Sequence, residues 1–277
     1  MVRDETGPRT RDLAAPALHE RARVKAAILL AGTSTRLRPY TDTTPKTLLE
    51  VGGTPILRRL LANLLRAGVT QFVMCTGYLE HMIHDAVRSW YPDLDVTFVT
   101  NADYATKNNA SSLLCMREQL DGHEFLLLDG DVVYDWEIVT RLTAHGGDCM
   151  AVRTRGEMGA EEMKVITNEQ GHVVQLSKQL PPNAVLGESM SIELFSPAQS
   201  RHLFRALQQR VVEQGRINEY YEHAIQQILD EGAVIHAVDI GSLHAVEIDT
   251  PEDLIAVNQW FTQQQLPAVA NPALVRE

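Results

Sequence analysis

Short apolar runs alternate with amphipathic stretches along the first half of the chain. Each apolar run is typical of a buried strand, whereas the stretches between them place apolar residues three and four positions apart, as helices do. The predicted strands cover residues 26–30, 71–75, 96–100 and 125–128. The predicted helices cover 54–65 and 78–90, and a third helix follows from the polar loop 101–113 and ends at about residue 120. Strands that alternate with helices at this spacing predict a mostly parallel sheet with Rossmann-like connections.

The pattern is less regular after Asp131. The predicted elements are a helix (135–144), a strand (149–153), a hairpin (163–167 and 172–177), an extended stretch (185–194), two helices (197–214 and 218–231), two strands (233–238 and 245–248) and a last helix (251–261). We interpret residues 1–23 as a flexible extension, 24–262 as one α/β domain and 263–277 as a short tail.

The stretch between residues 26 and 46 carries the most chemical information. Its strand ends in small and hydroxyl residues followed by two cations: Leu30, Ala31, Gly32, Thr33, Ser34, Thr35, Arg36 and Lys46. Exposed backbone amides and hydroxyl groups suit an anion, and the cations add fixed positive charge. Open α/β sheets bind phosphates at such strand-to-loop junctions, although an ordinary strand and turn is the alternative.

Composition limits the classes of function. The 277 residues are 44% hydrophobic, enough for one large α/β domain. No run of about 18 apolar residues occurs, so no membrane span is predicted. The formal net charge of −11 disfavours a nucleic-acid polymer as partner but not a nucleotide. Cys75, Cys115 and Cys149 are expected to be free thiols in a reducing compartment, with the cytoplasm as the default.

Acidic residues follow two of the predicted strands. Asp131 comes just after the strand 125–128, where a carboxylate aimed into a cleft is a good ligand for a divalent cation. Glu247 and Asp249 share one face of their strand because side chains alternate, but a plain helix N-cap is the alternative for Asp249. His81 and His84 have the spacing of a metal pair, yet no third ligand is evident and a solvated helix face is favoured.

The stretch 30–46 resembles the signature of the nucleotidyltransferase superfamily, whose members transfer a nucleoside monophosphate from a nucleoside triphosphate to a phosphorylated acceptor. The matching residues are Gly32, Thr35, Arg36, Leu37, Pro39, Thr41, Pro45 and Lys46. Leu30 and Ser34 stand where the signature has alanine and glycine. The resemblance implies a Rossmann-like three-layer fold with a mostly parallel central mixed sheet and a small acceptor-binding β subregion.

The resemblance also implies roles for individual residues. Arg36 and Lys46 would be the catalytic cations, and Asp131, Glu247 and Asp249 would hold Mg2+ as cofactor. Nucleotide contacts are implied for Leu30, Ala31, Gly32, Thr33, Ser34, Thr35, Arg36, Lys46, Asn108, Ser112 and Asp129.

Three further stretches resemble the phosphocholine and phosphonate cytidylyltransferase branch of that superfamily. Residues 104–113 are similar to its Y-x-x-x-N-x-x-S-[LF] segment, 186–192 to its G-E-x-x-G-I segment with Ser191 for the second glycine, and 220–222 to its Y-E-[DH] segment. Acceptor contacts are implied for Arg153, Lys178, Gly187, Glu188, Tyr221 and Glu222, with Lys164 a weaker candidate. Carboxylates and aromatic faces suit an amine or a quaternary ammonium group.

The sequence therefore predicts a Mg2+-dependent cytidylyltransferase acting as a monomer or homodimer. It would transfer CMP from CTP to phosphocholine, 2-aminoethylphosphonate or phosphonoformate and release pyrophosphate. A sugar-1-phosphate nucleotidyltransferase using UTP, dTTP or GTP is the first alternative, and the loop 101–113 argues against it. A regulatory homologue without catalysis is the second, and it would be expected to have lost Lys46 or an aspartate.

Overall fold

The computed structural model describes residues 24–156, 159–264, 266, 268 and 269. The predicted extension 1–23 and most of the predicted tail 263–277 lie outside the described residues. The strands are β1 Lys25–Leu30, β2 Glu50–Val51, β3 Thr54–Pro55, β4 Gln71–Thr76, β5 Asp95–Thr100, β6 Phe125–Asp129, β7 Val132–Tyr134, β8 Cys149–Arg153, β9 Lys164–Thr167, β10 Val173–Ser177, β11 Gly187–Phe195, β12 His236–Asp239 and β13 Ala245–Glu247. The α-helices are α1 Ile56–Arg66, α2 Glu80–Trp90, α3 Asn109–Cys115, α4 Arg117–Leu120, α5 Glu137–His145, α6 Pro197–Leu207, α7 Glu222–Asp230 and α8 Pro251–Gln264, and a π-helical segment Gln208–Glu213 follows α6.

Strand β1 lies inside a nine-stranded sheet. Seven strands run in the order β10-β9-β11-β6-β1-β4-β5, and β8 and β12 continue from β11. β1 pairs in parallel with β4 and with β6, and β5 pairs in parallel with β4. The carboxyl ends of these four strands therefore meet at one edge of the sheet. This arrangement confirms the predicted Rossmann-like α/β fold with a mostly parallel mixed sheet.

Side-chain alternation along β1 separates two apolar cores. Ala26, Ile28 and Leu30 belong to one core, which includes residues of α1, α2 and α5. Ala27 and Leu29 belong to the other, which includes residues of α3, α4, α6 and α7. Because the strand is buried on both faces, it is apolar throughout, and helices cover the sheet on both sides. The fold thus has the three layers that were expected.

Strand β11 joins the parallel part of the sheet to the smaller β region. It runs antiparallel to β8 along one edge, and to β9 and then β6 along the other. Its register with β8 shifts between Ser189 and Glu193, and Ser191 in between has a left-handed φ of 52°. A bulge of this kind re-aims a side chain out of the regular alternation. β9 and β10 form the predicted hairpin beside it.

A separate two-stranded ladder brings distant acidic residues together. β13 runs antiparallel to β7, with Glu247 opposite Val132. The backbone N–H of Ile248 donates to the carbonyl oxygen of Asp131 at 3.1 Å. β7 was not predicted from the sequence, because a strand of three residues is too short to show a period. The ladder nevertheless fixes Glu247 and Asp249 next to Asp131.

Some predicted element boundaries are wrong. Thr54 and Pro55 were expected to begin a helix, but Gly52 and Gly53 turn the chain with positive φ and Thr54 pairs with Val51 instead. The helix α1 therefore begins only at Ile56. The predicted helix 218–231 likewise begins only at Glu222.

The structure also bears on the predicted free thiols, on the histidine pair and on the expected absence of a membrane span. Cys75, Cys115 and Cys149 are free, and of these Cys115 is exposed. His84 lies 3.0 Å from the Thr76 hydroxyl and packs on Phe98. No helix among the described residues is long and apolar enough to cross a membrane.

Gly187 provides a test of the close approach between β11 and β8. A Cβ atom there would overlap the backbone carbonyl of Arg153, which belongs to a ladder and has no room to move. We expect Gly187→Ala to lower the free energy of unfolding by about 1–3 kcal/mol, as overpacking does. Urea unfolding followed by circular dichroism measures this. Gly32→Ala is the matched control, since a Cβ at Gly32 meets nothing within 4 Å. Equal stability of the two variants would contradict the role of Gly187.

Candidate active site

A cavity of about 420 Å³ opens at the carboxyl ends of β1 and β6, and we call it the main cavity. The residues predicted to contact a nucleotide that line it are Leu30, Ala31, Gly32, Thr33, Ser34, Lys46, Asn108, Ser112 and Asp129. Thr35 does not line it, because it begins the 3-10 turn Thr35–Leu37. Arg36 lines an adjoining cavity instead. The phosphate-loop prediction thus selected residues that surround one space.

The loop after β1 has an unusual backbone at Ser34. This residue is left-handed, with φ 50° and ψ 50°, and its side chain makes no capping hydrogen bond. Its carbonyl oxygen accepts a hydrogen bond of 2.9 Å from the Thr41 hydroxyl. The serine therefore adopts the conformation that the glycine of the superfamily signature would adopt more easily. Ser191, the other serine at a glycine position, has the same handedness.

Lys46 lies between two carboxylates. Its Nζ is 2.5 Å from Asp131 Oδ2 and 2.9 Å from Asp249 Oδ1, and Arg36 Nη2 is 2.9 Å from Asp249 Oδ2. Burial alone would lower the pKa of Lys46, but the two carboxylates raise it above its ordinary value. Burial alone would raise the pKa of Asp249, yet Lys46 and Arg36 bring it below its ordinary value. Both partners are therefore charged at neutral pH.

Asp249 is available for this network because another residue caps α8. The Thr250 backbone N–H donates to Asp253 Oδ2 at 2.8 Å, and the Asp253 N–H donates to the Thr250 hydroxyl at 3.2 Å. This reciprocal pair is a capping box, which needs no contribution from the Asp249 side chain. The plain N-cap interpretation of Asp249 is therefore wrong, and its carboxylate faces Lys46 and Arg36.

The donor set around Asp131 fits a divalent cation that also binds substrate. Asp131 Oδ1 is buried and has no hydrogen-bond partner, so a hard cation could take it as a ligand. One oxygen of the Glu247 carboxylate is already engaged, since Oε1 accepts a 2.6 Å hydrogen bond from the Ser191 hydroxyl. Within the described part of the chain, no three acidic, histidine or cysteine side chains form a group that could hold a metal alone. Asp131, Glu247 and Asp249 are therefore not a complete ligand set, and phosphate oxygens would have to complete it.

The floor of the site is acidic and poorly solvated. Burial, reinforced by the Asp131 charge, raises the pKa of Glu247 to about 8. Burial raises the pKa of Glu222 to about 7, and it raises the pKa values of Asp129 and Glu193 well above their ordinary range. Each carboxyl in this cluster makes ionisation of its neighbours more costly. A cation that enters the site would relieve this repulsion.

A second cavity of about 300 Å³, the side cavity, adjoins the main cavity through Gly32, Ser34, Lys46, Asn108, Asn109, Asp129 and Asp131. Its other lining residues are Arg36, Glu161, Met163, Lys178, Ser191, Tyr220, Glu222, Glu247 and Asp249. The Lys46 network lies where the two cavities meet. Two anionic molecules, one in each cavity, would therefore face each other across Lys46.

Only two of the predicted acceptor-binding residues line the side cavity. Lys178 and Glu222 do so, and the Lys178 Nζ lies 5.1 Å from the centre of the Tyr220 ring. Tyr221 is fully buried, and its neighbour Tyr220 provides the aromatic wall. Lys164 is buried and donates to the Lys178 carbonyl oxygen at 2.8 Å, and this hydrogen bond helps to fix the backbone at Lys178.

The structure does not bring the remaining predicted residues into the side cavity. Arg153 Nη2 lies 2.5 Å from Glu188 Oε2, so these two side chains pair with each other. Gly187 lies so close to the Arg153 carbonyl oxygen that no side chain would fit at position 187. The positions of these residues in β8 and β11 are thus accounted for by strand packing and one ion pair.

The 104–113 segment forms one wall of the main cavity. Asn108 caps α3 by accepting from the Asn109 N–H at 2.8 Å, and its amide donates to the Asn218 carbonyl oxygen at 3.3 Å. The Asn101 amide donates to the Ser112 hydroxyl at 3.0 Å. These bonds hold the segment in place before any ligand binds. Further lining residues were not predicted from the sequence: Tyr104, Lys107, Asn109 and Asn218 in the main cavity, and Glu161, Met163, Ser191 and Tyr220 in the side cavity.

A phosphate loop after the first strand, two cations beside it and opposing carboxylates at the ends of β6 and β13 define a nucleotidyltransferase. Residues 26–228 match the model of the MobA-like NTP transferase domain, and the chain belongs to this family.

Three curated relatives illustrate the range of the family. The chain is 30% identical over 245 residues to the CMP-5'-(3-aminopropyl)phosphonate synthase of Streptomyces rubellomurinus; the match covers 83% of this chain but 37% of that protein. It is 24% identical to the 2-aminoethylphosphonate cytidylyltransferase of Lancefieldella rimae, covering 86% and 94% of the two chains. It is 26% identical to a UTP–glucose-1-phosphate uridylyltransferase of Haloferax volcanii, covering 88% and 99%. The chain thus spans little more than a third of the first relative.

Solved structures agree on the fold. The CTP:phosphocholine cytidylyltransferase of Streptococcus pneumoniae superposes with a TM-score of 0.69 at 20% identity, covering 86% of this chain and 99% of that one. The inositol-1-phosphate CTP transferase of T. maritima gives a TM-score of 0.73 at 19% identity, covering 90% and 99%. At these identities the superpositions establish a shared fold.

Ser34 gives a stability test of the loop geometry. A left-handed backbone costs a residue with a Cβ about 1 kcal/mol relative to glycine. We therefore expect Ser34→Gly to be more stable than Ser34→Ala by about 1 kcal/mol in urea unfolding. Both variants lose the hydroxyl, so the comparison isolates the backbone. Equal stabilities, or a more stable alanine variant, would show that the loop is not left-handed there.

Lys46 gives a test of the charge network. Lys46→Met leaves Asp131 and Asp249 without the cation between them, and we expect a loss of about 3 kcal/mol of unfolding free energy. Arg38→Met, which breaks an exposed pair with Asp42, should change stability by less than about 1 kcal/mol. Mg2+ should restore part of the loss in Lys46→Met, measured by thermal unfolding with and without the ion. A Lys46→Met variant as stable as Arg38→Met would contradict the network.

Proposed function

We propose that this chain is a Mg2+-dependent cytidylyltransferase that transfers CMP from CTP to a small phosphonate or phosphomonoester acceptor bearing a cationic amine. The observation that carries the proposal is the meeting of the main and side cavities at Lys46, Asp131 and Asp249. The Streptomyces and Lancefieldella relatives, whose names specify CMP or cytidylyl products of aminoalkylphosphonates, support the choice of nucleotide and acceptor.

In the proposed reaction, an acceptor oxygen forms a bond to the α-phosphorus of CTP. The bond from that phosphorus to the oxygen bridging to the β-phosphate breaks, and pyrophosphate leaves. Lys46 and Arg36 stabilise the charge that develops on the transferred and leaving phosphates. Mg2+ held by Asp131 and Asp249 would offset the repulsion between the two anions. The chemistry requires no covalent protein intermediate.

The side cavity suits an acceptor of mixed charge. Lys178 offers a cation for the phosphonate or phosphate group. Glu222 has a buried Oε2 without a hydrogen-bond partner, and Tyr220 presents its ring beside it. A carboxylate and an aromatic face together attract an ammonium group. An aminoalkylphosphonate or phosphocholine satisfies all three side chains.

The 104–113 segment supports a cytosine base. Asn108 and Ser112 line the main cavity, and side-chain amide and hydroxyl groups can satisfy the polar edge of a pyrimidine. The uridylyltransferase relative from Haloferax favours a second candidate, a sugar-1-phosphate nucleotidyltransferase. Glu222 at the acceptor side argues against that candidate, because a neutral sugar offers it no cation.

Pyrophosphate release with Mg2+ tests the proposal. The panel would pair CTP, UTP, dTTP, ATP and GTP with phosphocholine, 2-aminoethylphosphonate, phosphonoformate and glucose-1-phosphate. We expect release with CTP and an amine-bearing acceptor, and a loss of at least about 100-fold in kcat for Asp131→Asn. Release confined to glucose-1-phosphate would establish the sugar enzyme instead. No release with any pair from a folded protein would favour a regulatory homologue.

The protonation of Glu222 predicts a pH dependence of acceptor binding. Its pKa of about 7 means that the carboxyl is neutral below this pH and charged above it. The groups around it are Lys178, Asp129, Glu193 and Tyr221. Because only the charged form attracts a quaternary ammonium strongly, the KM for phosphocholine should fall about tenfold as the pH rises from about 6 to about 8.

Glu222→Gln is the control for this effect. It keeps the shape of the side chain but cannot ionise, so the KM for phosphocholine should be high and nearly independent of pH. A pH profile unchanged by Glu222→Gln would assign the titration to another group and remove Glu222 from acceptor binding.

A further inference from the structure

A third cavity, the outer cavity, lies behind the acceptor side of the site. It has a volume of about 770 Å³, larger than either cavity described above. It is bounded by residues of β10, the π-helical segment, α7 and the loops beside them. The proposed reaction leaves its interior unused, since the main and side cavities already accommodate CTP and a small acceptor.

The outer cavity shares a wall with the side cavity. Four residues line both spaces: Met163, Lys178, Tyr220 and Glu222. The boundary is thus made of side chains, with the Lys178 Nζ 5.1 Å from the centre of the Tyr220 ring. Tyr220 is 39% exposed, so its ring is not locked into the core. A substituent on the acceptor amine would point from Glu222 past Tyr220 into this space.

The lining of the outer cavity is rich in amides. Six glutamines face it: Gln175, Gln179, Gln209, Gln214, Gln226 and Gln227. Gln226 and Gln227 are engaged with Asp230 and Glu231 respectively. By contrast, the side-chain amides of Gln175, Gln179 and Gln214 are exposed and have no hydrogen-bond partner among the described residues. Each can both donate and accept.

The charged side chains of the outer cavity are of both signs and are engaged by neighbours. Arg210 and Arg216 both pair with Glu219, at 2.7 Å and 3.2 Å. Asp230 accepts a hydrogen bond of 2.8 Å from Gln226, and Glu231 accepts one of 2.9 Å from Gln227. Groups that both donate and accept hydrogen bonds, such as amides, therefore suit this mixed lining better than a group of one strong charge.

We propose that the acceptor is larger than phosphocholine, and that its nitrogen carries a neutral, amide-bearing chain that occupies the outer cavity. The phosphonate or phosphate would lie at Lys178 and the amine at Glu222. Methylene groups of the chain would pack on Met163 and Tyr220, and the amide would reach the free glutamines. This inference rests on the proposed cytidylyl transfer and specifies its substrate class.

A series of 2-aminoethylphosphonates tests the inference with CTP and Mg2+. One set carries an N-alkyl chain of increasing length that ends in a carboxamide. The matched set ends in an isopropyl group, which has the same number of heavy atoms but no polar ones. At one chain length we expect kcat/KM for the carboxamide to exceed that of its isopropyl partner and of 2-aminoethylphosphonate by about tenfold, equivalent to one or two neutral hydrogen bonds.

Substitutions of the outer-cavity glutamines test whether the carboxamide binds in this cavity. Gln175→Leu and Gln179→Leu keep side-chain size but lose the amide, and each should reduce the carboxamide-to-isopropyl ratio about threefold or more. Gln170→Leu, on the exposed turn between β9 and β10, should leave the ratio unchanged and is the control. Thermal unfolding checks that all three variants are folded.

The outcomes separate this inference from the proposed function. Turnover of 2-aminoethylphosphonate with equal or lower turnover of every extended acceptor would overturn the inference and leave cytidylyl transfer standing. A carboxamide preference that persists in both glutamine variants would also overturn it, because the amide would then bind elsewhere. No turnover of any member with CTP would overturn both.

Discussion

The site depends on one largely buried lysine that holds two carboxylates together. Asp131 lies near the middle of the chain and Asp249 near its end, and Lys46 lies within 3 Å of both. Without the lysine, two partly buried negative charges would face each other in a medium that screens them poorly. With it, the junction of the two cavities combines fixed positive charge with oxygen ligands. That combination is what a reaction between two phosphate-bearing molecules requires.

The rest of the fold places these three side chains. Parallel pairing of β1 and β6 puts the loop that leads to Lys46 and the turn that carries Asp131 at the same sheet edge. The β7–β13 ladder then sets Asp249 opposite them, and the capping box of α8 leaves its carboxylate unused by the helix. The Ser191 hydroxyl, on the bulge of β11, donates a hydrogen bond to the Glu247 carboxylate and so orients it. Secondary structure thus supplies the positions, and a few polar contacts supply the orientations.

Much of this could be predicted from local sequence. The run from Ala26 to Leu30 is apolar because β1 is buried on both faces, and the loop after it is visible as a change to small and hydroxyl residues. Because these signals are local, the sequence could predict the phosphate loop and the position of Lys46 beside the main cavity. Asp131 was found in the same way, since it closely follows a buried strand.

Other features depend on tertiary contacts that no local pattern contains. Tyr220 and Tyr221 are adjacent and identical, and only packing decides that Tyr221 is buried while Tyr220 faces the cavity. The pairing of Arg153 with Glu188 requires β8 and β11 to be neighbours, which the sequence does not reveal. The left-handed backbone of Ser34 and Ser191 opposes the local preference of serine, so only the assembled fold accounts for it.

In the proposed reaction, an acceptor oxygen attacks the α-phosphorus of CTP at the Lys46 junction without a covalent protein intermediate. Phosphorus NMR of a reaction with 18O-labelled 2-aminoethylphosphonate follows that oxygen into the product. We expect a CMP-linked product with 18O in the bridge between the two phosphorus atoms, and pyrophosphate without label. Label in the pyrophosphate, or a bridge without 18O, would contradict direct attack by the acceptor.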